Sequence, residues 1–208
     1  MYERFTSCAA DNEKRSLSIN QVLRLFIALN LPAEVKTVLF QQTESLRQQI
    51  PAKAVRWVPP ENLHLTLKFL GDTPKDKIPE LQEALQKAVS QQRKFALKAV
   101  GVGCFPNAKR PRVVWVGLEG GVVELKTLVE QIENTIAPLG FPTEKRPFSP
   151  HLTIGRVKEV QDHQIGQILA AFKAGEIAAW ANEKVSLMQS ILQSSGAEHT
   201  VLAEFNLE

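Results

Sequence analysis

Two segments of this 208-residue chain repeat one pattern: His64-Leu65-Thr66-Leu67 and His151-Leu152-Thr153-Ile154. The chain has only four histidines, and two of them stand two residues ahead of a threonine inside an apolar run. In a β-strand successive side chains alternate faces, so His and Thr at i and i+2 share one face. Leu65, Leu67, Leu152 and Ile154 take the other. Each segment then buries one side and presents an imidazole beside a hydroxyl on the opposite one. An imidazole gives or takes a proton near neutral pH, and a hydroxyl donates a hydrogen bond to a charged oxygen. Brought together, two such strands hold the groups for acid–base chemistry on a phosphate. A lone His-x-Thr strand is an ordinary solvated face; the pair predicts a shared site.

Something must bring the two strands together, and the order of elements supplies it. A strand over residues 22–29 is followed by Pro32 at a helix start, with Val35, Val38, Leu39 and Leu46 as its apolar stripe. The His64 strand comes next, closed by Gly71-Asp72, then a helix from about Pro79 carrying Leu81, Leu85, Ala88 and Val89, then a strand over 95–102. The series restarts at the strand 113–116. Leu125, Leu128, Val129, Ile132 and Ile136 mark a helix stopped by Pro138 and Gly140. The His151 strand follows, then a helix with Ile165, Ile168, Leu169 and Phe172 ending at Gly175, and strands near 184–192 and 200–207. The spacing predicts β-α-β-α-β twice plus one strand, with the His-x-Thr strand second in each half. It predicts two similar α+β lobes, roughly 22–103 and 112–208, joined by residues 104–111 and each supplying one imidazole to a central cleft.

Composition sets the frame. A chain this long buries roughly 70% of its unfolded surface. It is 44% hydrophobic and 23% charged, with no apolar run near the roughly 20 residues that span a membrane. Residues 1–21 are polar, lack the apolar core of a signal peptide, and are expected to form a mobile extension. Cys8 and Cys104 are unclustered, which suggests reduced thiols and a cytoplasmic protein. A net charge of +3 permits an anionic partner without demanding one. His163 and His199 lack acidic or cysteine partners at ligand spacing, so no metal site is expected, and both are placed at the surface. Trp57 and Trp115 are placed in the core.

The chain resembles the two-histidine (2H) phosphoesterase superfamily, specifically its RNA 2',3'-cyclic phosphodiesterases, also described as 2'-5' RNA ligases. The resemblance rests on RLFIA at 24–28 with Leu31-Pro32, WVPPENLHLTLKFLG at 57–71, Phe105-Pro106, the strand 113–117, and RPFSPHLTIGR at 146–156. Residues before 20 lie outside the pattern, and 190–207 fit it loosely. The resemblance implies an α+β fold of two pseudo-twofold-related lobes, each an antiparallel-type sheet flanked by helices, with a groove holding both histidines. It implies metal-independent, cofactor-free opening of RNA 2',3'-cyclic phosphate ends, or of small cyclic nucleotides, to 2'-phosphomonoesters. His64 would be the proton donor and His151 the acceptor; symmetry of the motifs alone does not choose between them. Thr66 and Thr153 would bind the nonbridging oxygens. Ligation in the reverse direction, and a non-catalytic module binding RNA ends, are the alternatives. No membrane partner is expected, and a monomer is the default.

Further residues carry paired readings. Lys68 shares the His64 face and either touches phosphate or RNA or, at a strand end, is a solvated charge. Arg156 has the opposite parity to His151 and points away from the imidazole without a bulge at Gly155: it either contacts phosphate or forms a structural ion pair. Arg24 and Phe26 share a face of the first strand: they hold a phosphate and stack a base, or Phe26 packs between the lobes. Lys109, Arg110, Arg112, Lys145 and Arg146 line an RNA path or make up a plain basic surface.

Overall fold

The computed structural model describes residues 22–158, 163–193 and 196–208; the polar lead-in with Cys8 lies outside them. In chain order the elements are β1 (Val22–Asn30), α1 (Ala33–Gln42), α2 (Glu44–Gln49), β2 (Val55–Trp57), β3 (His64–Pro74), α3 (Ile78–Val89), β4 (Phe95–Phe105) and β5 (Val113–Gly120). They continue with α4 (Val122–Ile136), β6 (His151–Val157), α5 (His163–Ala171), β7 (Glu176–Asn182), β8 (Lys184–Gln193) and β9 (Gly196–Asn206). The fold is α+β: two antiparallel sheets with helices packed against them.

One sheet runs β3-β1-β8-β9 and the other β2-β6-β5-β4-β7. Taken from the histidine strand, β3-β1-β8-β9 and β6-β5-β4-β7 have the same plan, and β2 is added outside β6. The lobes are therefore not the sequence halves 22–103 and 112–208. β4 leaves the first half to pair with β5, and β8 and β9 return from the second half to pair with β1 and with each other. An antiparallel neighbour is reached most directly through a tight hairpin. Residues 104–111 belong to such a hairpin, closed by the Arg112 N–H donating to the Phe105 carbonyl at 2.7 Å, and are not a link between lobes.

Two strands were not expected. β2 has three residues, too short for a pattern. In β7 alanines occupy three of seven positions, and alanine is depleted in strands, so propensity hides it. Trp180 and Asn182 hold it in place: the indole N–H donates to the Asn182 amide oxygen, and the amide nitrogen donates to the Phe95 carbonyl.

The main core takes Leu25, Ile27 and Leu29 of β1, Leu65 and Leu67 of β3, and the apolar facing sides of α3 and α4, all at most 8% exposed. Each such side chain contributes about 1.5–3 kcal/mol by leaving water. The α4 stripe is buried as its 3.6-residue spacing predicts, and the helix gives way to a turn ending at Gly140 with φ 93°. Central in its sheet, β1 is covered on both faces. Phe26 and Ala28 point away from the main core and form a second buried cluster with Met188. Of that second cluster, Phe26 lines the cleft between the sheets.

Candidate active site

A cleft of about 2180 Å³ runs between the two sheets, and His64, Thr66, His151 and Thr153 all line it. The threonines follow their histidines on the cleft face as strand alternation requires. Beyond them the alternation breaks in both strands at the same place. β1 pairs Ile27 with Lys68 but Ala28 with Thr66, so Leu67 is an extra residue in β3. β5 pairs Val114 with Gly155 but Trp115 with Thr153, so Ile154 is extra in β6. A bulge reverses the parity of everything after it. Arg156 is thereby brought to the cleft, and so, in β3, is Phe69, which an unbroken strand would have buried. Phe69 is 65% exposed.

The same reversal turns Lys68 inward. It is 4% exposed and its amine donates to the Glu133 carboxylate of α4 at 2.7 Å and to the Pro142 carbonyl at 2.8 Å. The expectation that Lys68 shares the His64 face is corrected by the bulge; Lys68 still borders the cleft, but its charge is committed to Glu133 and is not solvated. Glu133 also accepts the backbone N–H of Glu144, so this pair anchors the segment leading to His151. Gly155, the counterpart of Lys68, also faces inward. A Cβ there would lie 2.7 Å from Val55 Cγ1 and 2.9 Å from the Trp57 ring, so glycine is what lets β2 close on β6.

Both imidazoles are held alike. Each Nδ1 lies 2.8 Å from the backbone carbonyl two residues upstream, that of Asn62 for His64 and of Ser149 for His151. A carbonyl only accepts, so Nδ1 carries the proton and a neutral ring leaves Nε2 as the open nitrogen. No side-chain pattern could reveal this tether, because its partner is backbone. The surroundings then diverge. His64 Nε2 lies 3.0 Å from the Thr66 hydroxyl, and its ring packs 4.9 Å from Phe26 and 5.2 Å from His199. Burial pushes the His64 pKa from 6.5 down to about 4; the Asn62 carbonyl pulls it up, and His199, Lys36 and Arg156 push it down further. Among the described residues His151 meets one aromatic ring, Phe105, edge-on at 4.9 Å.

Comparison with known proteins places this geometry. The LigT-like phosphoesterase family model matches residues 29–115 and again 116–197, so each match contains one His-x-Thr strand. The chain belongs to the LigT-like phosphoesterase family. A Thermotoga maritima relative, named RNA 2',3'-cyclic phosphodiesterase, is 34% identical over 187 residues, 89% of this chain and 96% of that protein. An Aquifex aeolicus relative of the same name is 31% identical over 189 residues, 90% of this chain and 98% of that one. Among solved structures, E. coli LigT complexed with 3'-AMP superposes with a TM-score of 0.70 at 27% identity, covering 90% of this chain and 99% of that one.

In this LigT-like cleft the remaining expected residues fall into two groups. Arg24, Phe26 and Arg146 line it with Arg156, and Arg56 and Lys126 add basic groups that no motif marks. Lys109, Arg110, Arg112 and Lys145 are not among its walls. Phe26 is 3% exposed beneath His64 and His199, so it packs in the floor and offers no open face to a base. The tryptophans are half-buried and not central to the core. Trp57 borders the cleft, and Trp115 pairs with Thr153 and stacks on Phe105 at 5.3 Å. His199, expected at the surface, is half-buried on the cleft wall because the β8–β9 hairpin sets it opposite Ser190. The side chain of His163 lies outside the described residues. Cys104 is a free thiol whose pKa burial pushes up. Among the described residues no group of His, Cys, Asp and Glu is arranged to hold a metal, and no helix is long and apolar enough to cross a membrane.

Proposed function

We propose that the chain hydrolyses 2',3'-cyclic phosphate ends of RNA, and small 2',3'-cyclic nucleotides, to 2'-phosphomonoesters without a metal or cofactor. The observation that carries this is the pair of imidazoles from two repeats, tethered identically through Nδ1 and lining one cleft. The relatives' names supply the substrate class. His151 Nε2 takes a proton from water as its oxygen bonds to phosphorus. The P–O3' bond breaks, and the N–H of a charged His64 ring gives its proton to O3'. Exchange with solvent restores both rings. Thr66, Thr153 and Arg156 donate to the nonbridging oxygens, where charge is held through the transition state; Arg24 and Arg146 extend the basic track for the RNA backbone.

The low His64 pKa gives this scheme an order of events. At neutral pH the free protein holds His64 uncharged, its Nε2 accepting from the Thr66 hydroxyl. A cyclic phosphate brings a negative charge beside the ring and favours the imidazolium. It also accepts the Thr66 hydroxyl and so frees Nε2. His64 thus becomes an acid when substrate arrives. Both rings come from one chain, so a monomer suffices, and RNA processing in the cytoplasm is the setting this chemistry fits. The test is incubation with a 2',3'-cyclic nucleotide and with an RNA bearing that end, in EDTA. Accumulation of the 2'-phosphate is expected; a 3'-phosphate, or no turnover, ends this reading.

A further inference from the structure

His199 belongs to neither His-x-Thr motif and lies beyond the second family match, which stops at residue 197. Yet its ring is packed against the reacting end of the cleft. It meets His64 at 5.2 Å and 89°, and Phe26 at 5.0 Å and 74°. Phe26 in turn meets His64 at 4.9 Å, so the three rings close on one another. β9 also grips the tether itself. The side-chain amide of Asn62, whose carbonyl holds His64 Nδ1, donates to the Ala197 carbonyl at 2.8 Å. Two points on β9, two residues apart, therefore fix the His64 ring and the loop that aims it.

The residue type needs an explanation. Among the described residues, His199 Nδ1 is buried with no hydrogen-bond partner. An unsatisfied buried polar atom is unfavourable, and a phenyl ring would fill the same space without one. An imidazole differs from phenyl in that it takes up charge, and a charge here opposes a second one on His64.

We propose that His199 is a positioning residue for His64. Its ring, with Phe26, clamps the imidazole and keeps water from its inner side, so that His64 gains its proton only when the substrate phosphate is in place. The proposal rests on the phosphodiesterase reading for its purpose, though not for its geometry. The other charged groups acting on His64 are Lys36 of α1, whose amine donates to the Glu61 carbonyl, and Arg156 of β6. Phe26 of β1 is uncharged. The lowering of the His199 pKa by burial agrees with a dry wall.

The test compares His199→Phe with His199→Ala. β9 is the outer strand of its sheet and His199 is half-buried, so both variants keep the fold, which thermal unfolding checks. His64 is titrated by NMR in the free protein, and kcat and KM are measured against pH on a 2',3'-cyclic nucleotide. In His199→Ala water reaches the ring, and its midpoint rises by about one unit or more. kcat falls with little change in KM. In His199→Phe the wall persists and only the opposing charge is lost, so the midpoint rises by less than half as much as in His199→Ala. An unmoved midpoint in His199→Ala, or an equal rise in both variants, overturns the proposal. The titration needs no substrate, so failure of the phosphodiesterase reading leaves it interpretable. Intact turnover with an unmoved midpoint removes only the role of His199.

Discussion

The two histidine arms are built on one plan and set in different surroundings. Each has a His-x-Thr strand, a carbonyl tether at 2.8 Å and a bulge one residue after the threonine. The His64 arm then closes over its imidazole with Phe26 and His199, and it buries Lys68 in an ion pair with Glu133. The His151 arm sets its ring against Phe105, with Gly155 in the place of Lys68 and Arg156 in that of Phe69. A repeated motif supplies two like groups, and a symmetric site would give both the same proton affinity. Acid–base catalysis asks one to give a proton and the other to take one. It is environment rather than motif that sets His64 apart, through burial against Phe26 and His199.

The largest expected effect tests whether both arms are needed. His64→Ala and His151→Ala should each lower kcat on a 2',3'-cyclic nucleotide by about 10³-fold in EDTA, with unchanged circular dichroism. Near-normal turnover by either variant would reduce the comparison to one working arm. Next comes Arg156, which the bulge brings to the cleft. Arg156→Ala should lower kcat/KM by about 10²-fold, as loss of one charge-stabilising donor does. An unchanged value would mean that the bulge serves packing alone.

The burial of His64 can be read without substrate. Above pH 6.5 the ring is neutral folded and unfolded, and its contribution to stability is complete. Between pH 6.5 and about 4 the unfolded chain gains a proton that the folded chain resists, so stability is lost as pH falls. At pH 4.5 that loss amounts to about 2 kcal/mol relative to pH 7. Urea unfolding at both pH values should show it in the wild type and show it reduced in His64→Gln. Equal losses in the two proteins would contradict the asymmetry of the arms.

How far the sequence discloses this site follows from range. The His-x-Thr strands, the α4 stripe and the repeated element order are local patterns, and local alternation and periodicity made them legible. The exchange of β4 and β8 between sheets is invisible to them, because pairing depends on which strands meet. Lys68 was misplaced, Arg156 left open and Phe69 passed over for one reason. A one-residue bulge carries no composition signal here except Gly155, and it reverses every side chain beyond it. His199 is more distant still, since it reaches His64 only through β9, β8 and β1 in turn.

The bulge pair Phe69 and Arg156 offers the finest test of the comparison. They are equivalent positions on the two arms, both turned to the cleft, one an exposed ring and the other a guanidinium. A nucleotide has the same polarity, with a flat apolar base at one side and a charged phosphate at the other. An aromatic face stacks bases with little regard to sequence, at about 1–3 kcal/mol each. Phe69→Ala should therefore raise KM about tenfold for an RNA end while leaving kcat nearly intact, the reverse of the histidine variants. Phe69→Tyr should restore KM, because a phenol stacks as a phenyl does. If Phe69→Ala instead lowers kcat with KM unchanged, the ring acts through its neighbour Phe26, 6.1 Å away, on the wall behind His64, and the two arms divide the chemistry but not the substrate.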